Sequence, residues 1–377
     1  MANESPPLSG IRVLEFGQVL SAPFGSRILA DLGAEVIKVE RLEGDDSRRM
    51  GPAFKRGDAL NFHIFNRNKK SIAVDLTGPT RERLDSLIAS TDVLIHNMRP
   101  GTMEKHGLDG VSLCERYPRL IYCEISAFGH VGPLSKAPGY EPLVQAFSGL
   151  SSINGNPGEP PVRLGVAVCD QGVGMWATIG ILSLLHRRQR TGRGGLLNTS
   201  LLETALVWGC QHTDSILNTS QQPKRHGSGH PNFVPYQSFQ AADRPFLVCV
   251  GNDRLFAKFA EALSRPEWIT DPRFRDNRAR LQNKDLLIPQ IEVIFASAPC
   301  ENWLSLFADA GVPCTPINTI SEALDHPQVK AMGQIQSATE EGTQFLGLPL
   351  SIDGVRPPIR SGAPIVGQHN GDFLGPL

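Results

Sequence analysis

The sequence lacks an excess of either charge and lacks the cysteine spacing that binds metals. Its 377 residues carry 37 basic and 38 acidic side chains, a formal net charge of -1, whereas nucleic acids and anionic membranes attract clustered cations. The seven cysteines are odd in number and form no CxxC pair, so we expect reduced cysteines and neither a disulfide framework nor a structural zinc site. We predict that nucleic acid is not a partner and that no metal is bound.

Long apolar runs and targeting segments are scarce as well. No apolar stretch reaches the roughly 18 residues that a membrane span needs. Residues 1–10 contain an acidic residue, a proline pair and no arginine, unlike a secretory or mitochondrial leader. The 37 glycines and 29 prolines are dispersed, which excludes a collagen-like or low-complexity chain. We therefore expect a cytoplasmic globular protein with no membrane partner.

Two glycine motifs that hold phosphates in nucleotide-binding proteins are missing. Residues 16–25, which follow the first predicted strand, contain only Gly17 and Gly25 where a dinucleotide-binding fold has GxGxxG. The P-loop pattern GxxxxGK[ST] does not occur either. Nicotinamide-dependent chemistry and P-loop chemistry are therefore disfavoured.

The first half of the sequence does contain a regular alternation of strand and helix patterns. The strand patterns fall at 12–16, 35–40, 71–76, 92–95 and 120–125. The helix patterns fall at 21–32, 79–89 and 112–117. This alternation predicts an α/β fold with a Rossmann-like, doubly wound parallel sheet.

The second half predicts a long helix, a linker and a smaller α/β domain. The helix covers 170–190 and ends in a cationic turn before Gly192. Residues 214–235 have no apolar periodicity, which indicates a linker. We expect a large domain at 1–213, a small domain at 236–317, and a return linker with the C-terminal part of the large domain at 318–377.

Asp170 follows an apolar run and opens the long helix, which leaves two interpretations of its role. As an ordinary N-cap, its carboxylate would accept hydrogen bonds from amides of the next turn. In the second interpretation the positive end of the helix keeps the carboxylate ionised, so that it can attack a reactive acyl group as a nucleophile. The spacing of residues does not separate these alternatives.

Several polar side chains follow predicted strands or a Gly- and Pro-rich loop. Arg41 and Asn97 come at the ends of two strands, and Tyr140-Glu141 follows the loop. Ligands of open parallel sheets bind outside the carboxyl ends of the strands, so these side chains are candidates for one crevice. Arg41, Arg99 and Lys105 are candidate phosphate ligands. Each of these residues could equally be a solvated loop residue.

A further candidate lies in the predicted linker. His226 and His230 are four residues apart, as helical metal ligands are, but the glycines and proline between and after them forbid a helix. Gly227 and Gly229 flank a single serine, and such a loop could present bare amides to a developing oxyanion. A plain hinge between domains is the alternative.

Six short sequence motifs occur in a characteristic order along the chain. The motifs are residues 8–15 (LSGIRVLE), Ala22-Pro23, residues 31–41 (DLGAEVIKVER), residues 66–72 (NRNKKSI), Arg99-Pro-Gly101 and Thr191-Gly-Arg-Gly194. Together they closely resemble the family III coenzyme A transferases, over about residues 8–371. The resemblance implies an interlocked-ring homodimer, an acyl-CoA and a small carboxylic acid as substrates, and no permanently bound cofactor.

The resemblance also implies roles for particular residues. The nucleophilic aspartate of the family falls on Asp170, which would form an aspartyl-CoA thioester, and Gly227 and Gly229 would belong to a lid that donates to the oxyanion. The residues implied for the CoA site are Leu20, Ser21, Arg41, Val74, Asp75, Leu76, Asn97, Met98, Arg99, Lys105, Tyr140 and Glu141. Lys105 departs from the arginine of well-known members, which puts its phosphate contact in doubt because lysine lacks the planar fork.

The substrates follow from weaker similarities. Residues 229–239, with Gly251-Asn252 and residues 277–280, are similar to members that use succinyl-CoA with glutarate or related dicarboxylic acids. A second carboxylate needs a cation, for which Arg48, Arg163 and Arg225 are candidates. The α-methylacyl-CoA racemases share the fold and form one alternative, although Tyr140 replaces the histidine of their acid/base pair. A non-catalytic CoA-binding protein is the other alternative.

Overall fold

The structure is a computed structural model that describes residues 5–78, 80–338 and 342–375. The described residues fall into two compact units. The larger unit contains the chain up to Ser151, Arg163–Gln222, and the chain from Met332 onward. The smaller unit contains Ser152–Val162 and Pro223–Ala331, so it takes up more of the chain than the range 236–317 expected for the small domain.

The elements of the larger unit up to residue 147 are β1 (Arg12–Phe16), α1 (Ser21–Asp31), β2 (Glu35–Glu40), a 3-10 helix (Asp46–Arg49), β3 (Phe54–Lys55), β4 (Asp58–Ala59), α2 (Leu60–Asn66), β5 (Lys69–Ala73), α3 (Thr80–Ala89), β6 (Val93–His96), α4 (Thr102–Lys105), α5 (Gly110–Arg116), β7 (Ile121–Ser126) and α6 (Glu141–Phe147). They are followed by α7 (Leu150–Ile153), α8 (Val168–Thr191), β8 (Gly195–Ser200), α9 (Leu201–Trp208) and α10 (Cys210–Thr219).

The next elements are β9 (Tyr236–Gln240), β10 (Pro245–Cys249), α11 (Asp253–Ala262), α12 (Glu267–Thr270), α13 (Asn277–Gln282), α14 (Lys284–Phe295), α15 (Cys300–Ala310), β11 (Cys314–Pro316), α16 (Ile320–Asp325) and α17 (Pro327–Ala331). The last are β12 (Ile335–Ser337), β13 (Gln344–Leu346) and α18 (Asn370–Leu374).

A six-stranded sheet forms the centre of the larger unit. Its strand order is β5-β2-β1-β6-β7-β8, and each neighbouring pair is parallel. The chain builds outward from β1 in one direction and then returns to β6 on its other side. Helix α1 packs on the face that carries Glu15, and α3 and α5 pack on the face that carries Leu14. The predicted α/β fold with a parallel sheet is confirmed, and the strand order reverses between β1 and β6.

Two predictions about local structure are wrong. The strand expected at 71–76 is β5, Lys69–Ala73, because the buried Lys69 takes a strand position that its charge did not suggest. The linker expected at 214–235 begins with helix α10, Cys210–Thr219. This helix buries none of its described side chains, so no apolar periodicity marks it in the sequence.

Helix α8 crosses the larger unit next to the sheet. By length and composition it is apolar enough to span a membrane, although polar residues interrupt its apolar positions. Its buried side chains, among them Val173, Ala177 and Ile181, belong to a helix that packs against α1, β7 and β8. One face of α8 therefore belongs to the core of the larger unit, whereas Met175, Trp176 and Ile179 are exposed apolar residues of the same helix.

The smaller unit has its own core. An antiparallel sheet, β11-β10-β9, packs against helices through clustered phenylalanines. The Phe295 ring lies 4.8 Å from the Phe246 ring and 5.1 Å from the Phe239 ring, measured between centroids, in edge-to-face geometry. Such pairs add to the stabilisation that apolar burial provides.

The C-terminal segment pairs with the outer edge of β5. Ser71 donates its amide to Nδ1 of His369 at 3.1 Å and accepts the His369 amide at 2.9 Å. Asn370 accepts the Ala73 amide on Oδ1 at 2.8 Å. The edge strand is thereby covered by the chain itself, which protects it from pairing with another molecule.

A buried ion network joins three neighbouring strands of the parallel sheet, β1, β2 and β5. Glu15 on β1 lies 2.8 Å from Nζ of Lys38 on β2 and 2.6 Å from Nζ of Lys69 on β5, and all three side chains are fully buried. Lys38 also pairs with Asp45 at 2.8 Å. Burial alone would raise the pKa of Glu15, but Lys38 and Lys69 outweigh it and hold this pKa below its ordinary value. Glu15 therefore stays ionised between two lysines.

We expect Glu15→Gln to lower the free energy of unfolding by about 3 to 5 kcal/mol, because it leaves Lys69 buried without its anion and leaves Lys38 with Asp45 alone. Chemical denaturation at neutral pH measures the loss. Glu35→Gln is the matched control, since Glu35 on β2, like Glu15, pairs with two cations, Arg12 and Lys70, but is partly exposed. It should cost about 0 to 1 kcal/mol. Equal losses in the two variants would contradict the role assigned to the network.

Candidate active site

Two cavities open at the carboxyl ends of the parallel strands, next to β1 and β6, between which the strand order reverses. The first, the Asp170 cavity, has a volume of about 490 Å³ and is lined by residues that include Leu20, Ser21, Asn97, Met98, Arg99, Tyr140, Glu141 and Asp170. The second, the Asp75 cavity, has a volume of about 470 Å³ and is lined by residues that include Val74, Asp75, Leu76, Thr77 and His106. Gln18, Arg41 and Met98 line both, so the cavities form one crevice at the position where open α/β sheets bind ligands.

The loop between β1 and α1 forms the wall where the two cavities meet. Asn97, just beyond β6, accepts the Gln18 amide at 2.8 Å and donates to the Gln18 carbonyl at 2.9 Å and to Ser21 Oγ at 2.7 Å. Val19 has a φ of 62°, which is unusual for a β-branched residue, and its amide donates to Asp45. Asn97 therefore lines the cavity as predicted, but its polar atoms fasten the loop.

A close approach of two helices places Asp170 near this loop. A Cβ on Gly25 of α1 would lie 2.8 Å from the carbonyl oxygen of Gly174, and a Cβ on Gly174 would lie 2.8 Å from the carbonyl oxygen of Ser21. Thr178 adds a hydrogen bond of 3.2 Å to the Gly25 carbonyl. Asp170 is one helical turn before Gly174, so the glycine contact brings its carboxylate to the start of α1.

Asp170 is not the N-cap of α8, contrary to one of the two interpretations. Ala167 is the N-cap and makes no side-chain cap, and Asp170 lies in the first turn on the cavity wall. The positive end of the helix also stabilises the ionised Asp170 carboxylate less than expected. Burial, with a smaller contribution from Glu141, raises the pKa of Asp170 to about 7. The cost of removing water from the carboxylate exceeds the benefit of the helix end.

Glu141 supplies the like charge that acts on Asp170. It is buried at the start of α6, and its Oε1 accepts a hydrogen bond from Gln145 Nε2 at 2.6 Å and one from the Cys169 amide at 3.4 Å. Burial, and then Glu141, raise the pKa of the Cys169 thiol to about 12. Cys169 is therefore a protonated packing residue, and the ionisable group that can act as a nucleophile here is Asp170.

The cations of the site differ in their availability. Arg41 donates to Asp46 and to the Gly44 carbonyl, so part of its guanidinium is already engaged. Arg99 is exposed at the wall of the Asp170 cavity, and we find no ion pair for it with any other described residue. Lys105 is exposed at the end of α4 and is not among the described residues that line either cavity.

Arg48 is not available for a substrate carboxylate. It is buried, lies 2.7 Å from Glu40 and 2.6 Å from Asp58, and stacks on the Phe62 ring at 3.6 Å from its centroid. This arrangement removes Arg48 from the three arginines suggested by the sequence. Arg163 and Arg225 are partly or fully exposed and donate to backbone carbonyls, those of Leu164 and Glu159.

The glycine loop does not have bare amides. The Gly227 amide donates to the Gly155 carbonyl at 3.2 Å, and the Gly229 amide donates to the His226 carbonyl at 2.9 Å. Gly227 has a φ of 59° and a Cβ there would lie 2.8 Å from Asn156. The expectation of free amides is therefore wrong in this conformation, because a turn satisfies the Gly229 amide and the distant Gly155 satisfies the Gly227 amide, both within the smaller unit.

Gln18, Asp46 and Gln145 belong to the site and were missed in the sequence. Gln18 contributes its backbone, which leaves no side-chain signal, and Asp46 lies in a short helix without a strong pattern. Gln145 could have been found, because it lies four residues after Glu141 on α6 and side chains at that spacing meet on one helix face.

With this geometry established, the chain can be placed among known proteins. It belongs to CoA-transferase family III, whose family model matches residues 8–370. The acetyl-CoA:oxalate CoA-transferase of Acetobacter aceti is 37% identical over 96% of this chain and 94% of that protein. The succinyl-CoA:glutarate CoA-transferase of Mus musculus is 35% identical over 98% of this chain and 86% of that protein. A CAIB/BAIF family protein from Brucella suis has a TM-score of 0.89 at 35% identity, with 98% of each chain covered. The family inferred from the motifs is confirmed.

We expect the Asp170 carboxyl to titrate with a midpoint near pH 7, so that it is protonated below this pH and ionised above it. Glu141→Gln should move the midpoint to lower pH, because it removes the neighbouring negative charge. NMR of protein labelled with carboxyl-13C aspartate measures both, with Asp170→Asn to assign the signal. Glu203→Gln is the control. Glu203 accepts a hydrogen bond from Ser200 Oγ, so this substitution should leave the Asp170 midpoint unchanged. A midpoint in the ordinary aspartate range would contradict the account.

Proposed function

We propose that this protein transfers CoA from succinyl-CoA to a dicarboxylic acid through an aspartyl-CoA thioester on Asp170. The observation that carries the proposal is the Asp170 carboxylate itself, which is half-buried at the wall of a cavity in the family's fold. The relatives support the substrate class, because one is named for oxalate and another for glutarate, and both acids are dicarboxylates.

The first half of the reaction moves CoA onto the enzyme. An oxygen of the Asp170 carboxylate attacks the thioester carbonyl of the donor, the carbon–sulfur bond breaks, and the products are a mixed anhydride and CoA thiolate. The thiolate then attacks the aspartyl carbonyl of the anhydride and expels the donor acid as a carboxylate. The result is the aspartyl-CoA thioester.

The second half reverses these steps with the acceptor. The acceptor carboxylate attacks the aspartyl carbonyl and expels CoA thiolate, which forms a second mixed anhydride. The thiolate attacks the acceptor carbonyl of this anhydride and releases the Asp170 carboxylate and the new acyl-CoA. No proton enters or leaves, so the state of Asp170 before the first attack sets the pH dependence.

The raised pKa of Asp170 suits this role. A carboxylate whose pKa is about 7 is a stronger base than an ordinary aspartate carboxylate and is still substantially ionised at neutral pH. Water would hydrolyse both the anhydride and the thioester, and the burial that raises the pKa also limits the access of water to Asp170.

CoA would extend along the crevice from the Asp170 cavity into the Asp75 cavity. Its reacting sulfur belongs beside Asp170, and its phosphates need cations that are not already paired. Arg99 meets that condition, whereas Arg41 would have to exchange Asp46 for a phosphate. Val74, Asp75 and Leu76 would then contact the nucleotide end of CoA in the second cavity.

We propose that the loop containing Gly227 and Gly229 acts as a lid, which requires its two bonded glycine amides to become free. For Gly227 or Gly229 to donate to the oxyanion of either tetrahedral intermediate, the loop must first release the carbonyls of Gly155 and His226. Substrate binding would have to supply the energy of that rearrangement.

We further propose that two chains form the interlocked homodimer of the family. Apolar side chains are exposed on adjacent helices of the larger unit: Met175, Trp176 and Ile179 on α8, Leu206, Val207 and Trp208 on α9, and Leu217 on α10. A patch of this kind is typical of a protein–protein interface. Equilibrium sedimentation would show a stable dimer, and a monomer at micromolar concentration would refute it.

We expect the purified protein to transfer CoA from succinyl-CoA to dicarboxylic acids of four to six carbons, and Asp170→Asn to slow the transfer by roughly 10⁴-fold or more, because the amide cannot act as the nucleophile. Mass spectrometry of a panel of acceptor acids measures both. Asp309→Asn, an exposed aspartate on α15 of the smaller unit, is the control and should retain full activity.

Other outcomes of this assay identify the alternatives. Full transfer by Asp170→Asn would refute the mechanism. Deuterium uptake at the α-carbon of a branched acyl-CoA without an acceptor would indicate a racemase instead. Binding of acyl-CoA with no turnover by the unmodified protein would indicate a non-catalytic CoA-binding protein.

We expect Arg99→Met to raise the KM for succinyl-CoA about tenfold with little change in kcat, because it removes one charge-assisted contact to a phosphate that is equally present in the ground and transition states. Steady-state kinetics measure the two constants separately. Arg190→Met is the control, since Arg190 is exposed at the other end of α8, about 30 Å along the helix from Asp170. The same change in both variants would contradict the assignment.

A further inference from the structure

Gln145 is a buried amide whose two polar atoms both have partners in the active site. It is fully buried on α6, one turn after Glu141. Its Nε2 donates to Oε1 of Glu141 at 2.6 Å, and its Oε1 accepts the amide of Leu164 at 2.8 Å. Leu164 lies in the segment that leads into α8, six residues before Asp170.

These two hydrogen bonds fix the orientation of the Gln145 amide. The Leu164 amide can only donate, so the atom facing it must be the oxygen, and the nitrogen must face Glu141. A side chain that is hydrogen-bonded at both of its polar atoms in a buried site has one favoured orientation. Gln145 thus holds the Glu141 carboxylate in place.

We propose that Gln145 is a positioning residue that acts on Asp170 through Glu141, by holding the Glu141 carboxylate fixed beside the nucleophile. This inference deepens the proposed function, on which its catalytic meaning rests. Gln145 makes no contact with the substrate in this role. It also ties α6 to the segment before α8, so that the two carboxylates keep a constant separation.

The charged surroundings of Asp170 are limited. Among the described residues, its titratable neighbours are Glu141 on α6 and Cys169, which precedes it on α8, while Glu203 of α9 accepts a hydrogen bond from Ser200. From the strand ends and loops, Arg41, Asp46 and Arg99 line the same cavity. Glu141 is the charged group that acts on the pKa of Asp170 in addition to burial. The effect of Gln145 must therefore pass through Glu141.

The test is the titration midpoint of Asp170 in variants of Gln145, measured by the NMR of carboxyl-13C aspartate. Gln145→Met keeps the size of the side chain but removes the donor, so the Glu141 carboxylate is no longer held beside Asp170 and the Asp170 midpoint should fall by about one pH unit. Gln145→Glu adds a carboxyl group next to Glu141, so negative charge is kept near Asp170 and the midpoint should stay at or above that of the unmodified protein. Val144→Ala, which alters a buried residue of the same helix, is the structural control and should leave the midpoint unchanged.

A double-mutant cycle separates the positioning role from a merely structural one. If Gln145 acts through Glu141, Gln145→Met should add no further shift of the midpoint in a Glu141→Gln background. Additive shifts, an unchanged midpoint in Gln145→Met, or equal shifts in the Met and Glu variants would overturn the proposal. The titration does not require turnover, so it remains informative whether or not Asp170→Asn abolishes transfer.

Discussion

The ion network of Glu15, Lys38 and Lys69 is the constraint on which the active-site geometry depends. It joins β1, β2 and β5, and it also reaches the β1–α1 loop and the first turn of α1, because Lys38 donates to the Gly17 carbonyl at 2.7 Å and Lys69 donates to the Pro23 carbonyl at 3.0 Å. Asp45, which pairs with Lys38, accepts the amide of Val19. The loop that lines both cavities is therefore held by buried charges, and its unusual backbone at Val19 is retained because the surroundings determine it.

The second layer of constraint is the combination of burial and like charge around Asp170. The facing glycines of α1 and α8 bring the start of α8 against the loop, and α6 brings Glu141 to the same place. Each feature makes the ionised form of Asp170 less favourable, so its pKa moves toward neutral pH. A nucleophile prepared in this way gains basicity without a separate general base, and in the proposed mechanism none is needed.

The sequence predicted the sheet well because its strands carry a strong physical signal. The strands β1 and β2 were placed at their observed residues, since β1 is a short run of strand-forming residues and β2 was recognised by the spacing of its apolar positions. The position of β5 was missed because Lys69 is buried only through pairing with Glu15, a contact between residues far apart in the sequence. The helix α10 was missed for the opposite reason, because none of its described faces is buried and no periodicity results.

Most members of the candidate site were predictable, although Gln18 and Asp46 were missed and Lys105 lines neither cavity, and the roles of the residues were less predictable. The motifs named Asp170 and the residues of the crevice, yet the engagement of Asn97 by the β1–α1 loop, the bonded amides of Gly227 and Gly229, and the pairing of Arg48 depend on tertiary contacts. The raised pKa of Asp170 also depends on burial, which spacing in the sequence does not show.

The central claim is that Asp170 carries CoA during the reaction. The most direct measurement is to mix the protein with succinyl-CoA without an acceptor, reduce the mixture with borohydride, and map the digested peptides by mass spectrometry. An aspartyl thioester would be reduced to an alcohol, so the account predicts homoserine at position 170, formed only when succinyl-CoA is present. Reduction at another carboxylate such as Glu141, or no reduced residue in a preparation that transfers CoA, would contradict it.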